Sequence, residues 1–548
     1  MRMTGAQAII KSLEKENVNT IFGYPGAAIC PFYDALLESD IKHILTRCEQ
    51  GAAHAASGYS RITNRTGVCV TTSGPGATNL ITGIATAYMD SIPMVAITGQ
   101  VRSDLIGRDV FQEADITGAT APFCKHNYLV KDAKNIPRII KEAFHIASTG
   151  RPGPVLVDIP IDLQQEEFDF VYPKTVDIRG YKPNYKGNMM QISKIAKAIE
   201  NAKCPVICAG GGVLSANATK ELAALAQKCQ IPVATTLMGI GAIAYDHDLY
   251  LGMLGSHGVY AANYATNHAD LLLIIGARVG DRAMGGASKI ARTARIIHID
   301  IDPAEIGKNV DASIPLVGDA GLILSDLVNI TQKGKTEEWI ATLTKIKDDH
   351  ITRKTDAKGK EGYINPRRLL SMLSEIAEGN TVFTTEVGQN QIWAANHLRI
   401  KNPRSFITSG GMGTMGYGLP AAVGVKIGSP DSTVIAISGD GSFQMCMQEL
   451  GTIKQNNLGV KIVILNNSRL GMVRELQESK FHKRYSQVNL ETNPDFVKLA
   501  CAYGFKGERI SSDGEVIGAL HKMLADDEPY LLECIVDPEE PTLLTNTR

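Results

Sequence analysis

The chain has 548 residues, enough for roughly three domains with separate cores, and its 56 basic and 57 acidic side chains nearly cancel. That balance excludes a surface built to attract nucleic acid or anionic membrane. The ten cysteines have no CxxC pairing and no histidines at metal-ligand spacing, which suits reduced thiols in a cytoplasmic protein rather than a disulfide frame.

The opening MRMTGAQAIIKSLEKE reads as a helix capped by Thr4, not as a signal sequence. Apolar runs such as LLLII at 271–275 are too short to cross a bilayer. Three blocks of alternating strand and helix signals follow, and they predict domains over 1–165, 190–330 and 366–548. The strand runs are VCVTT, MVAIT and VLVDI, then VICAG, LLLIIGA and IIHIDID, then TVFTT, VIAIS and KIVIL. Short β-rich runs separated by helical lengths imply an α/β fold of three doubly wound parallel sheets. A polar, aromatic stretch, QQEEFDFVYPKTVDIRGYKPNYKG, forms the first linker, and a charged helix and connection separates the second and third blocks.

In the first block, Glu49 stands where the strand run HILTR gives way to a helix beginning GAAHAA. A carboxylate there is ordinarily a dipole or capping partner. In the second block, Gly210, Gly211 and Gly212 follow the strand VICA, where a glycine turn only changes chain direction or admits a ligand. In the third block, STVIAI, SGDGSF, a helical stretch and KIVILNN read as strand, turn, helix, strand. Asp440 and Asn467 then sit at the carboxyl ends of two strands joined by one crossover, where open parallel sheets bind ligands. One carboxylate, one amide oxygen, a backbone carbonyl and phosphate oxygens make a sensible shell for Mg²⁺. Gly439 and Gly441 would let the backbone approach an anion, and a helix starting near Ser442 would offer unpaired N–H groups.

The stretches GYPGAAICPFYDAL (23–36), CEQGAAHAASGYSR (48–61), GRDVFQEADI (107–116), GRPGPVLVDIP (150–160), GMLGSHG (252–258), GARVGDR (276–282), EVGQNQIW (386–393) and SGGMGTMGYGLPAA (409–422) resemble the large catalytic subunit of acetohydroxyacid synthase, or acetolactate synthase. With the GDG…NN motif, the resemblance covers nearly the whole chain. It implies thiamine diphosphate held across a subunit boundary between a pyrimidine-binding first domain and a diphosphate-binding third domain, with a flavin-type central domain. Glu49 would be the cofactor-activating acid, and Asp440, Asn467 and the Arg469 carbonyl the Mg²⁺ ligands. Gly413 and Met415 would contact the aminopyrimidine, Met445 would bend the cofactor, and Gly439, Gly441 and Ser442 would lie along the diphosphate.

The same resemblance implies a structural FAD bounded by Arg151, Gly211, the 252–282 segment, Asp300 and Asp319. Arg282 would hold the carboxylate of a second 2-ketoacid, with Gln112 and Phe111 at the entrance and Ala27, Ser256, Met472 and Leu476 in the substrate pocket. The implied reaction removes CO₂ from pyruvate and joins the remaining two-carbon unit to a second 2-ketoacid, in branched-chain amino acid biosynthesis. A homodimer or homotetramer is implied, with a small regulatory subunit left open. Departures from the family pattern fall in two places. Leu476, Ile161, Ser256, Ala27 and Cys48 stand where tryptophan, lysine, methionine, glycine and histidine are usual, and Val279 and Gly280 replace Phe and Asp by the flavin. A related carboligase or decarboxylase of another 2-ketoacid, and a non-catalytic paralogue, are the competing readings.

Overall fold

Every run read as a strand is a strand in the computed structural model, which describes residues 1–284, 294–351, 359–377 and 379–544. Residues 285–293 of the predicted second domain, and 378 and 545–548 of the third, therefore lie outside the described residues. The strands Met94–Gln100, Pro154–Pro160, Leu271–Ile275 and Val460–Asn466 are buried at every position. Continuous apolar runs of this kind belong to parallel sheets covered on both faces.

Three six-stranded sheets result, parallel at every pairing within them. In the first, the spatial order is Lys42–Leu45, Thr20–Tyr24, Gly67–Thr71, Met94–Gln100, Pro154–Pro160, His126–Leu129. The third repeats that topology strand for strand: Phe406–Ile407, Thr381–Thr385, Thr433–Gly439, Val460–Asn466, Tyr530–Ile535, Lys506–Ile510. In both, the chain reverses direction between its first and third strands, and the crevice at such a switch point is where open sheets take ligands. The central sheet has a different order, Tyr250–Met253, Val233–Thr235, Pro205–Ala209, Leu271–Ile275, Arg295–Asp300, Ile314–Val317, with its switch between Pro205–Ala209 and Leu271–Ile275. The first linker is less loop-like than its composition suggests, because Glu167–Asp169 pairs antiparallel with Arg2–Thr4.

The first and third domains share one core, in which Ala52, Ala56, Tyr417, Ala421 and Val434 are buried together, while the central sheet packs its own around Ile207, Leu273 and Ile299. The seam is made by the helices Glu49–Thr63 and Gly418–Gly428, which lie against each other. Their contact is backbone on backbone: a Cβ built at Gly424 would stand 1.8 Å from the Ala55 carbonyl oxygen, and one at Gly58 2.2 Å from that of Ala421. Only glycine permits this approach. Among the described residues no helix is long and apolar enough to cross a membrane, and the ten cysteines are free thiols.

Candidate active site

Asp440 follows the strand Thr433–Gly439, and Asn467 follows its neighbour Val460–Asn466, so the two side chains emerge at adjacent strand ends on the switch-point side of the third sheet. Asp440 is the first residue of the helix Asp440–Gln444, two positions earlier than the sequence suggested. The reason is local: the Ser442 hydroxyl turns back to the Gly439 backbone, lying 3.2 Å from both its nitrogen and its carbonyl oxygen, so Ser442 braces the first turn instead of preceding it. Burial pushes the Asp440 carboxyl up to about 6, although the amide of Asn493 donates to it at 2.7 Å. A buried carboxylate facing no cationic side chain is costly, and a metal ion would remove that cost. Asn467 donates through Nδ2 to Gln389 Oε1 at 2.8 Å, so its oxygen, which accepts the Arg469 N–H at 3.1 Å, is the end of the amide with a lone pair left for a cation. Among the described residues no three His, Cys, Asp or Glu side chains form a metal cage. A cation here would draw on one carboxylate, an amide, the carbonyl of Arg469 and ligand oxygens.

Beside these strand ends runs the loop 409–417. Gly413 has φ +67° with open space where a Cβ would be, and Gly416, at φ +88°, faces Met445. Met415 is half-buried and Met445 exposed, while a Cβ at Gly441 would meet Leu470 and Leu490. The loop is held by Glu386, which is wholly buried and accepts the N–H groups of Gly416, Tyr417, Gly418 and Leu419. Burial outweighs these four donors and raises its carboxyl to about 7. On its other side the loop is tied to the first domain: Asp90 accepts from the Gly410 and Gly411 N–H groups, and Thr414 meets Thr86 at 2.7 Å.

In the first sheet, Glu49 is the first residue of its helix and receives the Asn79 amide at 2.9 Å. Gly76 is close by, since a Cβ there would lie 3.4 Å from Glu49 Oε1. Gln112 is half-buried with φ +59° and packs over Gly74, whereas Phe111 and Ala27 are exposed. On the third domain, Met472 and Leu476 lie one turn apart on the helix Gly471–Lys480, the first half-buried and the second exposed.

The central switch point opens into a cavity of about 520 Å³, a size usual for cofactor sites. Arg151, Gly211, Arg282, Asp300 and Asp319 all line it, with Met89 and Asp90 from the first domain and Gly410 and Gly411 from the third. Gly212 and Gly276 pack backbone against backbone at its base, joined by a 2.9 Å hydrogen bond. Arg151 bonds Glu305 at 2.8 Å, Asp302 at 3.3 Å and the Ser91 hydroxyl at 2.9 Å. Asp300 is buried and its carboxyl raised to about 6 by that burial, while Asp319 is committed to capping the helix Ala320–Ile330. Val279 is buried in the central domain's core and does not line the cavity, whereas Gly280 lines it with open space where a Cβ would be. Arg282 projects outward, paired only at 3.7 Å with the adjacent Asp281 among the described residues, and its carbonyl accepts from the exposed Ser256. Its guanidinium is therefore available to a carboxylate.

Several contributors carry no local signal of a role in the sequence. Asn493 holds Asp440 from a loop, and Glu386 and Gln389 lie within EVGQNQIW, where neither spacing nor residue type marks what they hold. Glu449 reaches from the third domain to the entry of the Glu49 helix.

The chain matches three family models in order: the thiamine pyrophosphate enzyme N-terminal TPP binding domain over residues 3–119, the central domain over 192–327 and the C-terminal TPP binding domain over 386–534. It is 51% identical to a probable acetolactate synthase large subunit of Methanocaldococcus jannaschii, covering 98% of this chain and 93% of that protein. It is 47% identical to the acetolactate synthase large subunit IlvB1 of Mycobacterium tuberculosis, over 98% and 88%. Against the acetolactate synthase isozyme 2 large subunit of Escherichia coli K12 the identity is 46%, over 98% and 96%. Likeness of this extent through all three domains leaves one assignment: the chain belongs to the thiamine pyrophosphate enzymes, within the family of acetolactate synthase large subunits.

Proposed function

We propose that the protein is an acetolactate synthase: it decarboxylates one pyruvate and joins the remaining two carbons to a second 2-ketoacid, giving with pyruvate one acetolactate and one CO₂. The observation that carries this reading is the placement of Asp440 and Asn467 at neighbouring strand ends in a chain similar to such enzymes from end to end. Thiamine diphosphate supplies the electron sink that decarboxylation needs. The chain's own residues bind and orient. Asp440, Asn467 and the Arg469 carbonyl would hold Mg²⁺ against the diphosphate, and Gly439, Gly441 and Ser442 would admit its oxygens. Gly413, Met415 and Met445 would seat the pyrimidine, where Glu49 would share a proton with the ring nitrogen. Arg282, Gln112 and Phe111 would take the second ketoacid, with Ala27, Ser256, Met472 and Leu476 shaping its pocket. The segments 1–165, 190–330 and 366–548 would act as the pyrimidine, flavin and diphosphate domains.

The cavity at the central switch point fits a dinucleotide, because glycine backbone and three arginines, Arg151, Arg278 and Arg282, surround it. We assign FAD to it as a structural group. Exposure of Phe111 at 84%, Met445 at 56% and Leu476 at 39% supports a second copy of the chain over these side chains, as a homodimer or homotetramer. The relatives' designation as large subunits supports a small regulatory subunit as a further partner.

The test is product identification after incubating the purified chain with thiamine diphosphate, Mg²⁺, FAD and pyruvate, with Glu49→Gln alongside. Acetolactate that vanishes in the variant is expected. Acetaldehyde would make the protein a decarboxylase, and acetate or acetyl phosphate an oxidase-like enzyme.

A further inference from the structure

The helix that begins at Glu49 has no cap of its own. Cys48 precedes it in extended backbone and makes no side-chain hydrogen bond, yet the first N–H groups of a helix need partners. The chain just ahead of this helix is held by a carboxylate of the third domain. The Arg47 N–H donates to both carboxylate oxygens of Glu449, at 3.0 and 3.3 Å, and the carboxylate lies against the first turn, since a Cβ at Gly51 would be 2.4 Å from Oε1. Glu449 is fully buried, and its second oxygen also receives the Thr452 hydroxyl at 2.6 Å. Arg47 completes the clasp from the other side, donating to the Gly451 carbonyl at 3.2 Å and to Gln455 Oε1 at 2.8 Å. Glu449 ends the short turn Met447–Glu449, directly after the segment of Asp440 and Met445. One stretch of chain thus carries the residues for the diphosphate end and fixes the turn from which Glu49 projects.

We propose that Glu449 is the positioning residue for Glu49, holding the acid's helix at the depth and angle from which its carboxyl can serve the cofactor's pyrimidine. The proposal rests on the acetolactate synthase reading above. Glu449→Gln keeps the volume but removes the charge and leaves one acceptor oxygen where the Arg47 N–H and the Thr452 hydroxyl have two. Gly51→Ala keeps the charge and pushes the carboxylate aside, so it serves if the first variant folds poorly.

Three quantities are read on parent, Glu449→Gln, Gly51→Ala and Glu49→Gln: melting temperature, calorimetric affinity for thiamine diphosphate with Mg²⁺, and acid-quenched deuterium exchange at the thiazolium carbon of the bound cofactor. Glu449→Gln and Gly51→Ala are expected to keep cofactor affinity within about threefold, because the diphosphate ligands are untouched, while exchange per bound cofactor slows by roughly tenfold or more, the scale of one charge-assisted hydrogen bond. Exchange within twofold of the parent in folded Glu449→Gln, with Glu49→Gln still slow, would overturn the positioning role alone. A parent chain that fails to accelerate exchange over free cofactor would overturn the underlying reading, and the positioning role with it.

Discussion

Asn493 donates from Nδ2 to Asp440 Oδ2 at 2.7 Å, while its Oδ1 accepts the Gln444 amide at 3.0 Å. The same Gln444 amide also bonds the Asp440 backbone carbonyl, so Gln444 fixes Asn493 and Asn493 in turn orients the carboxylate. Groups that orient a metal ligand are worth 10–100-fold in affinity. Asn493→Ala should therefore weaken Mg²⁺-dependent binding of thiamine diphosphate by roughly tenfold or more, with little change in melting temperature. Calorimetric titration of Mg²⁺ at saturating cofactor measures it directly.

The seam between the first and third domains predicts a steep steric penalty. At Gly424 a methyl group would overlap the Ala55 carbonyl and stand 2.8 Å from the Tyr59 nitrogen, and neither is a side chain that can swing away. Overpacking of a rigid contact costs about 1–3 kcal/mol or more. Gly424→Ala should lower the melting temperature by at least about 3 °C, whereas Gly413→Ala, where open space faces the Cβ, should cost only its backbone strain at positive φ. Differential scanning calorimetry of the two variants separates these effects.

Sequence pattern reveals these sheets where strands are long and buried on both faces, as in MVAIT and KIVIL. It does not reveal Phe406–Ile407, a two-residue edge strand with no period to detect, or the helix start at Asp440, because Ser442 looks like a cap until its hydroxyl is seen returning to Gly439. The site divides the same way. Asp440 and Asn467 are legible because strand, turn and crossover put them at adjacent strand ends within one local unit. Asn493 and Glu449 are not, since their contacts join residues 53 and 402 positions apart and no local rule links a carboxylate to an N–H at that separation.

The seam also buries a titratable group. His54 is fully buried on the Glu49 helix, with Nδ1 unpaired and its ring edge-on to Tyr417 at 5.2 Å, and burial lowers its pKa to about 3. Its folded pKa lies below its unfolded one, so between pH 6.5 and 3 the unfolded chain binds the extra proton and stability falls as pH falls. Glu386, raised from 4.5 to about 7, works the other way: its contribution is present below pH 4.5 and is lost as pH rises from there to about 7. His54→Gln removes only the first effect. Its melting temperature relative to the parent should therefore climb as pH drops from about 6.5 to 4, a window worth up to about 3 kcal/mol. A constant offset across that range would mean that His54 is protonated in the fold.

Leu476 is expected to bias the choice between acceptor substrates. It stands on the exposed face of the helix Gly471–Lys480, one turn beyond Met472, and the resemblance read from the sequence implies tryptophan there. A leucine fills less volume and presents no flat ring, so the ethyl group of 2-ketobutyrate gains less over the methyl of pyruvate. Contact with one methylene is worth about 1–3 kcal/mol in such discrimination. The parent enzyme should show a weak bias toward 2-ketobutyrate, and Leu476→Trp should raise the ratio of acetohydroxybutyrate to acetolactate by roughly tenfold. Both acceptors present in one reaction, with products separated by chromatography, give the ratio without reference to absolute rates. A strong 2-ketobutyrate preference in the parent would move the determinant away from residue 476, toward the face formed by Phe111, Gln112 and Ala27.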